Sequence, residues 1–171
     1  MNKMTIDDVT INFTHLKRET LLSDWQWLVD KHDLPILITS IGDVFIQNKN
    51  TNEMKFLDTG YGVLKDIAPH PEELRVLLKN EDFALDHLPF NAVSGMLDKG
   101  VALPKGQIYS YKILPALGGA HSLDNLEPCD IHVHLSISGQ IHQQIKDLPP
   151  GTKVENIKIK QPTSKPWWKF W

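Results

Sequence analysis

The sequence predicts an α+β fold, an antiparallel sheet meander flanked by helices, on three observations. Four short β-rich segments follow one another between Ile36 and Ile67, separated by tight polar turns. Helical apolar spacing lies on both sides of them, and no βαβ alternation occurs, which excludes a doubly wound sheet. The chain of 171 residues fits a single domain able to bury a core without crosslinks. We expect residues 1–160 to form that domain and residues 161–171 to be a basic, aromatic C-terminal tail.

From Thr14 to Lys31 the apolar residues Leu21, Leu22, Trp25, Leu28 and Val29 recur at three- and four-residue intervals, predicting an amphipathic helix that ends before Pro35. Trp25 joins its core stripe. Trp27 falls about 200° further round and is expected to be partly exposed. The segments 36–40, 43–48, 54–58 and 61–67 carry β-branched and aromatic residues and are bounded by Gly42, the Asn48–Asn52 turn, Gly60 and Pro69, which predicts strands joined as hairpins.

Pro71 followed by Glu72 and Glu73 marks a helix start, because proline suits the first turn and carboxylates there face the positive end of the helix dipole. Leu74, Leu77 and Leu78 form its buried stripe. Two more short helices are expected at 83–88 and 90–97, divided near Pro89 and ended by Gly100. Residues 108–113 read as a strand. From Asp130 to Lys146 the spacing of Ile137, Ile141 and Ile145 favours a helix, stopped by Pro149-Pro150-Gly151, although 131–135 alone would pass as a strand. The rest, from Lys153 onward, reads as terminal.

Hydrophobic residues make up 41% and charged residues 23%, which excludes disorder and fibrous repeats. The one cysteine, Cys129, excludes an intramolecular disulfide. The first residues carry acidic groups where an export signal needs an apolar run, and no stretch reaches the roughly 18–20 apolar residues of a membrane span, so a cytoplasmic location is expected. Net charge is −3, unevenly spread: residues 1–100 hold 16 acidic and 10 basic groups, residues 101–171 hold 5 and 8. Between Asp66 and Asp98 seven carboxylates face only Arg75 and Lys79. Such a segment repels nucleic acid and attracts a basic partner; the plainer alternative is a solvated helix face. Asp66, Glu72, Glu73, Glu81, Asp82 and Asp86 are the candidate partner-binding residues.

Asp130, His132 and His134 form a D-x-H-x-H pattern. On a strand alternate residues share a side, so these three groups would converge on one metal, as in the first strand of amidohydrolases and PHP-type phosphoesterases. Those enzymes draw further ligands from later strands of barrels of roughly 250 residues, whereas only 37 residues follow His134 here. If the segment is helical, His132 and His134 stand about 200° apart and cannot share an ion. Cys129 has no C-x-x-C partner and reads as a small half-buried residue. There is no G-x-S-x-G, H-E-x-x-H, Walker or dinucleotide motif. No catalytic residue, metal or cofactor is expected.

The order of several motifs resembles the immunity proteins of type VI secretion DNase effectors, with a Tdi-type C-terminal domain, which look related to the SUKH superfamily. The carriers are D-W-Q-W-L (Asp24 to Leu28), I-G-D-V-F (Ile41 to Phe45), F-L-D-T-G-Y-G (Phe56 to Gly62), and YSYKILPALGG (Tyr109 to Gly119) with the helix ending QIHQQI. The resemblance spans about residues 20–147. It implies a SUKH-like single α+β domain that catalyses nothing and binds a cognate toxin one to one, covering the nuclease site. Contact residues do not carry over by position.

The alternatives are a SUKH-like regulatory or binding module without a toxin, and a small metal-dependent hydrolase using Asp130, His132 and His134. At the C-terminus, Trp167, Trp168, Phe170 and Trp171 with nearby lysines suit a membrane-interface anchor, a docking peptide or a strap over the core. The segment is too short to hold a membrane strongly, and self-packing or self-association is the expectation.

Overall fold

The computed structural model describes residues 4–161. The four predicted strands are present as β1 (Asp33–Ile38), β2 (Val44–Asn48), β3 (Met54–Asp58) and β4 (Val63–Ala68), hydrogen-bonded in that order in one antiparallel sheet. The β2–β3 turn closes through the Asn48 side chain, whose oxygen accepts from the amides of Asn50 and Thr51 at 3.0 and 3.1 Å. Asn52 takes the positive φ of 64° that the turn requires. Pro35 is tolerated because β1 is an edge strand and its register shifts between Pro35 and Leu37.

Alternation along the inner strands sends side chains to two separate cores. Phe45, Met54 and Phe56 pack on one face with Leu74, Leu88, Val93 and Met96. Val44, Ile46 and Leu57 pack on the other with Trp25, Ile108, Ile131 and Leu135. The sheet is therefore covered on both faces. Its first cover consists of α2 (Pro71–Leu77), α3 (Glu81–His87) and α4 (Phe90–Asp98). Pro71 opens α2, the Asn80 side chain caps α3 by accepting from Phe83 N at 2.9 Å, and Pro89 separates α3 from α4. Leu74 is buried while Leu77 and Leu78 are half-buried.

The second cover is α5 (Ile131–Ile145) with the N-terminal segment. Here the predicted helix from Thr14 to Lys31 is not formed as one element. It is reduced to α1 (Arg18–Leu21) and a 3-10 turn at Ser23–Trp25. Contacts to α5 replace the missing helical ladder: Trp25 Nε1 donates to the Leu135 carbonyl at 2.9 Å, and Ser136 Oγ donates to Asp24 at 2.6 Å. The apolar spacing identified the right buried residues, since Leu21, Leu22, Trp25 and Val29 all lie in the core. Trp27 is half-buried, stacked on Trp25 at 5.9 Å rather than directed to the opposite side.

A two-stranded ribbon, β5 (Gln107–Tyr111) with β6 (Leu126–Asp130), adjoins the end of β1, where Tyr109 N donates to Ser40 O at 2.7 Å. Strand β6 was not foreseen. Residues 131–135, open to a strand reading, are the first turns of α5, and the strand precedes them. No helix among the described residues is long and apolar enough to cross a membrane.

Candidate partner-binding site

Asp130, His132 and His134 do not form a metal site. Asp130 is the N-cap of α5, its Oδ1 accepting from the amides of His132 and Val133 at 2.9 and 3.1 Å. His132 sits half-buried on a different side of the helix from His134, which is buried. Among the described residues no group of three or more His, Cys, Asp or Glu side chains is arranged to hold a metal ion. Cys129 is half-buried on β6, and burial next to Asp130 and Glu127 raises its thiol pKa, so it is not an activated thiolate.

The histidines that matter structurally are His134 and His142, eight residues apart on the inward face of α5. His134 Nε2 lies 3.0 Å from Thr59 Oγ1, and His134 Nδ1 lies 2.8 Å from Ser110 Oγ. The Thr59 hydroxyl donates its proton to Asp43 Oδ1 at 3.1 Å. His134 therefore donates from Nε2 to Thr59 and accepts at Nδ1 from Ser110. His142 donates from Nε2 to the Thr59 carbonyl at 2.9 Å. Burial lowers both imidazole pKa values, His134 to about 4, so both rings are neutral hydrogen-bonding spacers.

Two glycines make room for these rings. Gly42 has φ 92° and Gly62 has φ 68°. A Cβ at Gly42 would collide with the edge of the His134 imidazole at Nε2, and one at Gly62 would come to 2.5 Å from His142 Nδ1. The I-G-D and G-Y-G motifs thus pack against α5 for one physical reason: each places a backbone without a side chain beneath a histidine.

This framework fixes a small cavity of about 200 Å³ at the β3–β4 turn, lined by Asp43, Asp58, Tyr61, Tyr111, Pro115 and His121 among others. Tyr61 Oη lies 2.6 Å from His121 Nε2, and Tyr111 Oη lies 3.3 Å from His121 Nδ1. The Tyr61 and His121 rings stack at 5.5 Å, and Tyr111 meets His121 edge-on at 5.8 Å. Burial and the neighbouring Asp58 raise the Asp43 carboxyl to about 7. Burial, with Asp43, Asp58 and Tyr61 adding to it, raises the Tyr111 phenol to about 12. Asp43, Asp58, Tyr61, Tyr111 and Pro115 lie within the motifs I-G-D-V-F, F-L-D-T-G-Y-G and YSYKILPALGG, and His121 follows the last of them. The available signal was the pair of aspartates beside turn glycines, Gly42-Asp43 and Asp58-Thr59-Gly60.

The six acidic candidates lie elsewhere. Asp66 is on β4, Glu72 and Glu73 are in the first turn of α2, and Glu81, Asp82 and Asp86 are on α3; all six are exposed. Large apolar side chains are exposed on the same helices, Val76 at 67% and Leu85 at 55%. Glu72 meets His70 at 3.6 Å in an exposed pair of little energetic weight. The aromatic residues Trp167, Trp168, Phe170 and Trp171 lie outside the described residues.

Residues 72–142 match the family described as T6SS immunity protein Tdi1, C-terminal. The Tdi1 match runs from the first turn of α2 into the last turns of α5 and includes His121, His134 and His142. The motifs at 24–28, 41–45 and 56–62 precede it, yet all three pack directly on α5. In fold, the chain is similar to the crystal structure of Atu4351 from Agrobacterium tumefaciens, with a TM-score of 0.53 and 19% identity. That likeness covers 72% of this chain and 62% of the other. No curated protein matches in sequence.

Proposed function

We propose that this chain is a cytoplasmic immunity protein that binds a type VI secretion nuclease effector and neutralises it by covering the nuclease site. The observation that carries the proposal is the Tdi1 C-terminal match across α2 to α5. A nuclease needs a basic surface to hold phosphates, and the exposed carboxylates Asp66, Glu72, Glu73, Glu81, Asp82 and Asp86 have the complementary sign. Val76 and Leu85 on the same helices supply apolar contact area of the kind that sets residence time, while the charges speed association. The SUKH-like kinship belongs to the same proposal.

The reading needs no catalysis. The two buried histidines are neutral, and each has a hydrogen-bond partner inside the protein. The experiment is co-expression with candidate nuclease effectors of the same genome. Rescue of growth together with a one-to-one complex on size exclusion supports the proposal. If the protein neither rescues growth nor co-purifies with any of them, the proposal is wrong.

A further inference from the structure

We infer that the cavity between the β3–β4 turn and the β5–β6 ribbon is a receptor for one basic side chain, a lysine or arginine, presented by the protein partner. This deepens the immunity reading and rests on it for the identity of the partner. Three independent features converge on a cation. The first is shape: about 200 Å³ is below the roughly 300–1,000 Å³ of small-molecule sites. It suits the end of one long side chain.

The second is the wall. Tyr61 is 49% exposed and stacks on His121, which Tyr111 holds from the other side. Aromatic faces attract a cation through the ring quadrupole. Because His121 uses both ring nitrogens on the two tyrosine hydroxyls, the three rings are fixed relative to one another before any partner arrives. Such preorganisation lowers the ordering cost of binding.

The third is the charge. Asp43 Oδ1 accepts from Thr59 N at 2.8 Å and Asp58 Oδ1 accepts from Tyr61 N at 2.9 Å. Among the described residues the second oxygen of each has no donor, and neither carboxylate is in an ion pair. No lysine or arginine lines the cavity. The Asp58 charge disfavours ionisation of Asp43, and with no internal cation an external one relieves that. Burial is the main cause of the raised Asp43 and Tyr111 pKa values, and the neighbouring carboxylates add to it.

The test uses the full chain in two arms. In the first, N-acetyl-lysine methylamide is titrated at high millimolar concentration and followed by amide and side-chain NMR shifts, with the uncharged norleucine analogue as control. Shifts confined to Gly60, Tyr61, Tyr111 and His121, produced by the lysine compound alone and abolished in D43N/D58N, are expected. No lysine-specific shift at these residues overturns the inference.

In the second arm the affinity of the effector found by growth rescue is measured against Asp58→Asn and Tyr61→Ala, each first checked for an unchanged melting temperature. A loss of at least about tenfold is expected. Unchanged affinity in both variants, with neutralisation by the wild type intact, removes the cavity from the interface and leaves the immunity reading standing. Absence of any neutralised effector defeats the immunity reading, and the first arm still decides whether the cavity takes a basic side chain.

Discussion

Replacing Gly42 by alanine should destabilise the protein through one identifiable collision. The residue has φ 92°, and the added methyl would collide with the edge of the His134 ring. Holding a residue with a Cβ in that left-handed conformation costs about 1–2 kcal/mol. Displacing a packed ring adds about 1–3 kcal/mol. The total of about 2–5 kcal/mol corresponds, at roughly 2–4 °C per kcal/mol for a domain of this size, to a fall of about 4–20 °C in Tm. The decisive measurement is a double-mutant cycle by urea unfolding, monitored by far-UV circular dichroism. In a His134→Ala background the ring is gone and the methyl has room, so only the backbone part of the cost should remain. The coupling between the two positions should be about 1–3 kcal/mol. Equal costs for Gly42→Ala in both backgrounds would refute the claim that this glycine exists to seat the histidine.

Four further outcomes follow from the same framework. The Asp43 carboxyl is raised from its ordinary 3.8 to about 7 in the folded protein, so its contribution to stability is full below about pH 4 and is lost as pH rises through about 7. Asp43→Asn should therefore gain on the wild type in urea midpoint between about pH 4 and 7, and a constant difference across that range contradicts the assignment. His134 has the opposite sign: its pKa falls from 6.5 to about 4, so its contribution is full above about 6.5 and is lost as pH falls through about 4. The stability difference between wild type and His134→Phe should shrink over that window, and a flat profile would show that the ring is not buried neutral. Trp25→Phe removes the indole N–H donated to the Leu135 carbonyl, which keeps its helical partner, and should cost about 0.5–1.5 kcal/mol in chemical denaturation. Asp130→Ala should cost about 0.5–2 kcal/mol by removing the cap of α5, with Asp130→Asn recovering most of it; equal losses for both would argue against capping.

The meander was legible because its strands are rich in β-branched and aromatic residues and its turns carry the residues that positive φ demands, Asn48 to Asn52 above all. The helices from Pro71 to Asp98 were legible from Pro71, Pro89 and Gly100, whereas the Asn80 cap of α3 emerges only in the structure. The N-terminal helix was misread for an instructive reason. Spacing reports which residues face the core, and Leu21, Leu22, Trp25 and Val29 do so, but a short helix followed by a 3-10 turn satisfies that spacing when α5 accepts the tryptophan N–H. Strand β6 was hidden because Glu127 and Pro128 carry no β signature; its place comes from pairing with Tyr109 and Ser110 across the ribbon.

The site was less legible than the fold. His132 and His134 drew notice through their i, i+2 spacing, whereas the structural pair is His134 and His142 at i, i+8. Their glycine partners lie 92 and 80 positions earlier in the chain. No local pattern links positions so far apart. The acidic helices were visible as composition, and their exposure agrees with that, while the aromatic cavity arises only when the β3–β4 turn meets residues 111–121.

One attachment on the far side of α5 has a consequence for how this protein is free to change. Gln140 exchanges two hydrogen bonds with the main chain of Lys160, at 2.7 and 2.9 Å, and Gln144 does the same with Lys158, at 3.0 and 2.9 Å. Each glutamine amide acts as a strand neighbour would, so a helix offers two rungs of a sheet edge to an extended chain. The rungs read only backbone. The side chains at 158 and 160 can therefore change to almost any identity except proline while the chain stays anchored at the same place, because the two glutamines hold its backbone alone.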